Sequence, residues 1–387
     1  MHSVNIAPTM TKRRSTPKTD PLVFHIIPSL RMGGAERLAV ELCARLPEHG
    51  FRTKLLAMYD AGALWQEVRD RNLRWAQLLP TVRGSRLELF RQLRTRIFAE
   101  PGRAPQIVHT HLFGADFWSV LAKRWQRIGS QFTAWDVDMP KFMSTAHNID
   151  HDDSFVRRRA RRWANHQMDQ VIPITKAVET YVQSDLGVPK DQLHLIPNGV
   201  DLDRLPIREP RRRSSTPTLI IVGRLELQKG HETLLRALAN VHPPWLLQVV
   251  GSGSQERTLK ELAESLGIVS RIRFLGIRHD IGSLLACADL FLFPSHWEGM
   301  GLALMEAMAV GVPSLASDLP SIAEYAPKSM RVKAGDVEAW TKAIRHALKS
   351  YDERTALAAS LTTKIRKRYG IDRMVEDYVE VYRRFLG

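Results

Sequence analysis

Along this chain, short β-branched runs alternate with longer stretches in which apolar residues recur at helical spacing. Leu22–Ile27 is the first run, and Gly33-Gly34 and a helical pattern over Ala35–Pro47 follow it. Thr53–Met58, Gln106–Thr110, Phe142–Ala146, Val171–Ile174 and Leu193–Ile196 read as further strands. A second series opens at Thr218–Val222 and continues through Leu246–Val250, Ile272–Leu275, Leu290–Phe293 and Pro313–Leu315. Residues 335–387 carry the period of two or three amphipathic helices. Strands apolar throughout and separated by helices are what a parallel sheet covered on both faces requires. The pattern predicts an α/β protein with two doubly wound domains.

Residues 201–217 (DLDRLPIREPRRRSSTP) are rich in Pro, Arg and Ser and have no periodicity, so the division falls there. The expected organisation is a disordered basic tail at 1–20, an N-terminal domain at 21–200, a linker at 201–217 and a C-terminal domain at 218–368. A last helix at 369–387 is expected to pack back on the N-terminal domain. Doubly wound sheets bind ligands beyond the carboxyl ends of their strands, so two facing sheets make an interdomain cleft.

Composition adds charge to this picture. The 387 residues are 44% hydrophobic and 25% charged, an ordinary balance for a soluble protein with a large core. No stretch reaches the roughly 18 uninterrupted apolar residues of a membrane span, and the polar, basic first twenty residues lack the apolar centre of a signal peptide. A cytoplasmic protein is expected. The two cysteines, Cys43 and Cys287, sit in apolar helical patterns without metal-ligand spacing and read as buried small hydrophobes. The net charge of +15 points to a polyanionic partner: nucleic acid, an anionic membrane face or a phosphate-bearing substrate. Arginines cluster at 83–103 (Arg83, Arg86, Arg91, Arg94, Arg96, Arg103) and at 157–162 (Arg157, Arg158, Arg159, Arg161, Arg162). In the first cluster Leu87, Phe90, Leu93 and Ile97 recur at helical spacing. Two readings stand there: an interfacial helix on the inner face of an anionic membrane, or a helix packed on the sheet with a solvated basic face. Aromatic residues do not interleave with the arginines, which argues against nucleic acid.

Four segments carry chemistry. Met32-Gly33-Gly34-Ala35 follows the first strand, where glycine admits a close ligand and the helix N-terminus favours an anion. Val222-Gly223-Arg224 through Lys229-Gly230 puts two cations at a strand's carboxyl end, five residues apart and able to converge on one diphosphate. Pro294 to Leu302 is a glycine-containing loop that runs into an apolar helix. On one continuous helix Glu298 and Glu306 would lie about 12 Å apart, beyond the ~5–9.5 Å of paired hydrolytic carboxylates. They read as grips on two ends of an extended ligand, with the N–H groups near Met300, Gly301 and Leu302 receiving a phosphate between them. Glu306 sits among apolar neighbours and needs a partner. His109-Thr110-His111 and His147 end two strands of the first half. His109 reads as a packed strand residue, His111 is open between packing and an acceptor-side role, and His147 reads as functional. An HxH pair can bind metal, but a third ligand is not evident in the sequence.

The segments MGGAER, GRLELQKG, FLGIRHD and EGMGLALMEAMAVGVP resemble, in this order, the retaining GT-B glycosyltransferases of family four, over roughly residues 22–385. The resemblance implies an acceptor-side N-terminal and a nucleotide-sugar-binding C-terminal Rossmann-like domain. It implies hexosyl transfer from a nucleotide diphosphate sugar, UDP- or GDP-linked, to a glycan or lipid-linked acceptor with retention. Such enzymes serve cell-surface polysaccharide or glycolipid synthesis. Arg224 and Lys229 would hold the diphosphate, Glu306 the ribose, and Glu298 the sugar hydroxyls, with Met300, Gly301 and Leu302 offering backbone contacts. His147 would stand by the sugar at the reaction centre, Gly33 and Gly34 beside the phosphate, and 275–278 at the base. No cofactor or divalent metal is implied, since Arg and Lys offset the leaving charge. Asp136-Val137-Asp138 spells DxD in an irregular loop, 129–140, and reads as coincidence. A sugar-nucleotide epimerase or a pyridoxal-phosphate phosphorylase of the same fold, and a basic nucleic-acid-binding protein, are the rival readings.

Overall fold

The computed structural model describes residues 20–31, 33–70, 76–78, 85–98, 104–130, 139–149, 154–209, 212, 214–242 and 244–387. The expected tail up to residue 19, Met32, Arg83, Arg103 and Asp136-Val137-Asp138 lie outside the described residues. Among the described residues, no helix is long and apolar enough to cross a membrane.

The apolar runs build two six-stranded parallel sheets. The first holds β1 (Leu22–Ser29), β2 (Arg52–Asp60), β3 (Ala76–Leu78), β4 (Ile107–His111), β5 (Lys141–Ala146) and β6 (Gln170–Pro173), in the order β3-β2-β1-β4-β5-β6. The second holds β7 (Thr218–Val222), β8 (Leu246–Val250), β9 (Ile272–Gly276), β10 (Leu290–Phe293), β11 (Ser314–Ser317) and β12 (Arg331–Val332), in the order β12-β11-β10-β7-β8-β9. Each sheet starts at its centre, builds to one edge, then returns to build the other. Its direction switches between β1 and β4, and again between β7 and β10. Ligands of doubly wound sheets bind in those two crevices.

The pattern misses β3 and β12, which have three and two residues and are too short to show a period. It also overcalls Leu193–Ile196, which is no strand. That segment lies along β6, with His194 N–H donating to the Val171 carbonyl and Ile196 N–H to the Pro173 carbonyl, both at 3.1 Å. The return bond from position 173 cannot form because proline has no N–H, so the ladder stops after one side. Residues 335–387 resolve into three helices, Val337–Lys349, Tyr351–Tyr369 and Ile371–Leu386.

The chain passes between the halves twice, and the two passages are bonded to each other. Val200 N–H donates to the Tyr369 carbonyl at 2.8 Å, and Ile371 N–H to the Val200 carbonyl at 3.0 Å. The segment expected as a linker is bonded to the second half over 201–209. Arg208 N–H donates to the Val310 carbonyl, Arg366 donates to the Leu205 carbonyl, and the Arg208 guanidinium is buried with Tyr351 and Asp289. Backbone polar groups lacking strand partners find them on the second half.

The Ile371–Leu386 helix leaves the second half and lies on the first sheet. Its Met374, Val375, Tyr378 and Tyr382 form one core with Val23, Ile107, Met143 and Ile172. Tyr378 is fully buried. Tyr378→Ala should destabilise the first half by about 3–5 kcal/mol, the usual cost of truncating a buried aromatic. A thermal melt reads this as an earlier unfolding transition; an unmoved melt would show that the helix contributes little.

Candidate active site

At the second switch point the turn after β7 and the turn after β10 face each other. Lys229 runs past Gly223, its ammonium lies 5.5 Å from the centre of the Phe293 ring, and it is ion-paired with Glu298. Glu298 is buried and also accepts from Ser295 Oγ at 2.8 Å. Gln228 ties the two turns by donating to the Trp297 carbonyl at 2.9 Å. Arg224 is exposed at the rim, 3.4 Å from the Gln228 side-chain oxygen. The two cations are thus brought to one site, with Glu298 between Lys229 and the loop.

Residues 298–301 are not helical, so Glu298 and Glu306 do not share the helix that the ~12 Å spacing assumed. The helix is Leu302–Val310, and Gly301 precedes it at φ 75°, ψ 60°, the left-handed region that glycine adopts without strain. Carbonyls of the preceding loop are held from outside. Ser321 Oγ donates to the Glu298 carbonyl at 2.8 Å, Thr175 Oγ to the Gly299 carbonyl at 3.0 Å, and Tyr325 OH to the Met300 carbonyl at 2.5 Å. The N–H groups of Leu302 and Ala303, in the first turn, have no intrahelical acceptor by construction and present a positive helix end. The Met300 side chain itself is core.

The first half closes over this loop. Gly299 packs directly on the His147 carbonyl, where any Cβ would collide. A Cβ on Gly34 would lie 3.0 Å from Leu302 Cδ1. Glu324 of the second half accepts from Lys176 N–H and Ala177 N–H, both at 3.0 Å, and so caps a helix of the first half. Gly33, Gly34, His147 and Leu302 therefore line one seam with the Lys229–Glu298 pair. Glu306 is half-buried one helical turn further on. Among the described residues its carboxylate has no bonded partner; Arg37, Asp201 and Arg204 supply the nearest charges, and desolvation raises it to about 7. Arg37 and Arg204 themselves converge on Glu67, at 3.7 and 3.0 Å. Glu36, beside Gly33, is also raised, by desolvation first, while Arg224 across the seam pulls it down.

Behind His147 the structure assembles more histidines than the sequence suggests. His25 of β1 is the register partner of His109 of β4, and His111 lies two residues on, on the same sheet face. His25, His109 and His111 are fully buried, and one ring nitrogen from each lies within 4.8 Å of the others. The third imidazole missing from the HxH motif is thus His25. Both nitrogens of His109 are occupied, however, by Tyr382 OH at 2.6 Å and Thr145 Oγ1 at 2.8 Å. His111, expected on the acceptor side or packed in the core, is fully buried, with its Nδ1 3.2 Å from His147 Nε2. A polar residue within the apolar run LVFHII is the one sequence signal that marks His25. Gln228, Ser295, Thr175 and Tyr325 carry no such signal, because only the folded loop brings them to Glu298–Met300.

The basic clusters differ in exposure. In the Arg86–Phe98 helix Leu93 and Ile97 are fully buried, whereas Leu87 is 76% exposed. In the Phe155–Asn165 helix Phe155 and Val156 are 73% and 75% exposed, beside exposed Arg158, Arg159 and Arg162.

Residues 32–204 match the sequence model described as Glycosyltransferase Family 4, and residues 204–364 that described as Glycosyl transferases group 1. A glycogen synthase of Mycobacterium tuberculosis is 31% identical over 167 residues, 42% of this chain and 40% of the relative. The D-inositol 3-phosphate glycosyltransferase of Corynebacterium urealyticum is 29% identical over 259 residues, 60% of this chain and 61% of the relative. The lipopolysaccharide core biosynthesis glycosyltransferase LpsE of Rhizobium meliloti is 32% identical over 184 residues, 45% of this chain and 53% of the relative. The chain spans about two fifths of the length of the glycogen synthases it matches. Among solved structures, Anabaena HepE in complex with UDP and glucose superposes with a TM-score of 0.80 at 18% identity, covering 94% of this chain and 99% of that one. This likeness shows the two-domain GT-B fold. With its first half matched by one model and its second by the other, end to end, the chain belongs to the glycosyltransferases of family four, group 1.

Proposed function

We propose that the protein transfers a hexosyl group from a nucleoside diphosphate sugar to a glycan or lipid-linked acceptor, with retention at the anomeric carbon and without a divalent metal. The observation that carries this reading is the convergence of Lys229, Arg224 and the Leu302 helix end at the second switch point, opposite His147. A departing diphosphate gains charge as the glycosidic bond breaks. Cations and oriented N–H groups fixed beforehand stabilise it where it develops. Names of relatives, a D-inositol 3-phosphate glycosyltransferase and a lipopolysaccharide core glycosyltransferase among them, are consistent with acceptors of cell-surface chemistry. The Lys229–Glu298 pair implies an exchange: the diphosphate takes Lys229, and Glu298 is released toward the sugar hydroxyls. Retention then follows a front-face route in which the leaving phosphate assists the acceptor hydroxyl.

Lys229→Ala or Arg224→Ala should lower kcat by about 10²–10³, the usual loss on removing one preorganised charge stabiliser, in an assay of nucleoside diphosphate release. Release should require acceptor and survive chelator. Near-normal turnover in these variants, or conversion of the sugar nucleotide without acceptor, would sink the assignment.

Glu306 supplies a pH test. Its carboxyl is raised from 4.5 to about 7, so it is neutral below that pH and charged above it. A ribose hydroxyl donates more strongly to the carboxylate, so donor affinity should rise as pH passes from 6 to 8. In Glu306→Gln the affinity should fall about 10–100-fold at pH 8, as expected for a lost charged hydrogen bond, and become flat with pH. Titration calorimetry at both pH values decides; a profile unchanged in the variant would remove Glu306 from the ribose.

We further propose peripheral attachment to anionic membrane through the Phe155–Asn165 helix, on its exposed Phe155, Val156 and arginines. Cosedimentation with phosphatidylglycerol vesicles should be strong at low salt, weak at high salt, and reduced in F155S/V156S. No binding at low salt would exclude it.

A further inference from the structure

Gly299 lies against the His147 carbonyl, and a Cβ there would fall 1.9 Å from the oxygen, so the two backbones set how closely the halves approach. A contact of this kind limits approach but supplies little attraction. One turn of the first half supplies hydrogen bonds across the seam. Thr175 Oγ1 donates to the Gly299 carbonyl, Lys176 N–H to one carboxylate oxygen of Glu324 and Ala177 N–H to the other, each at 3.0 Å. We infer that Glu324 is a positioning residue, the clasp by which the donor loop at 298–302 draws the first half, and His147 with it, over the site; this rests on the reading of that loop as the donor site.

The clasp uses a helix end that its own half caps only in part. The Lys176–Ser184 helix starts after Thr175, and its first N–H groups have no acceptor within the helix. Thr175 Oγ1 accepts from Val178 N–H at 3.2 Å, which caps the helix from its own half. The N–H groups of Lys176 and Ala177 are left for the other half, and the Glu324 carboxylate takes both. A carboxylate at a positive helix end makes charge-assisted bonds, the stronger kind. Glu324 is in turn fixed to the donor loop by its neighbours. Ser321 Oγ and Tyr325 OH hold the Glu298 and Met300 carbonyls, on either side of the Gly299 carbonyl that Thr175 takes. Ser321 is buried, and the Tyr325 ring meets the edge of Tyr369 at 6.0 Å. A displacement of the loop is therefore passed to Glu324, and through it to the first turn of the helix. The site lies between the halves, so a donor enters and a nucleoside diphosphate leaves when they part. The clasp permits this, since Glu324 is half-buried and Lys176 exposed, and water can replace each partner as the bonds open.

The experiment uses full-length protein and two readouts. Small-angle X-ray scattering of the nucleotide-free protein should give a larger radius of gyration in Glu324→Ala than in the unmodified chain. Glu324→Gln should fall between them, because the amide keeps one oxygen acceptor and loses the charge. Stopped-flow dissociation of UDP or GDP should be about tenfold faster in Glu324→Ala, the scale of one charged hydrogen bond, and less accelerated in Glu324→Gln. A residue that only caps the helix would lower the melting temperature of the variants and leave radius and dissociation rate unchanged; that pattern would overturn the inference. So would faster dissociation at an unchanged radius, since the halves would not have parted. Unmodified protein that binds neither nucleotide removes the donor-site reading alone: the scattering comparison needs no ligand and still decides whether Glu324 holds the halves together.

Discussion

The site depends on a contact between backbones. Gly299 lies on the His147 carbonyl so closely that no side chain fits between them. Gly299 belongs to the loop that ends the central strand of the second sheet, and His147 follows a strand of the first. The spacing of the two halves is thus set by main-chain atoms, which do not change rotamer. Thr175 and Glu324 reinforce the seat by bonding across it. An interface built this way can hold catalytic side chains to a fraction of an ångström, as transfer between two bound substrates demands.

Desolvation then sorts the ionisable groups by task. Arg224 stays at the rim, exposed and charged. Lys229 is paired with the buried Glu298. Glu306 is half-buried and raised toward neutrality, close to where a small change in surroundings switches its charge. Burial drives the imidazoles of His25, His109 and His111, on strands of the first sheet, well below their ordinary range, so they are neutral.

The alternation of apolar runs and helical patterns was enough to find ten of the twelve strands within a few residues, because parallel strands buried on both faces are continuously apolar. Edge strands of two and three residues carry no such signal, and Pro173 stops the ladder at Leu193–Ile196 for a reason that apolar content does not reveal. The glycines and cations after β1, β7 and β10 were legible because doubly wound sheets expose their ligand edge at strand ends, and glycine and arginine there have few other uses.

What the residues alone could not decide is which of them meet. A loop's composition does not say that Ser295, Ser321 and Tyr325 will hold it rigid, since each hydroxyl finds its partner only after the chain has closed. His25 reads as one polar residue in an apolar strand; register pairing with β4 makes it the third of a row. The arginines at 86–96 read as open between a membrane face and a packed helix; the fold buries Leu93 and Ile97 beside them and leaves Leu87 exposed. The sequence by itself determined the layers, their order and the chemical type of each loop, because those follow from local periodicity and side-chain chemistry. The pairing of charges, the direction of hydrogen bonds and the neutrality of the buried imidazoles were decided by tertiary structure, because each depends on which groups exclude water from which others.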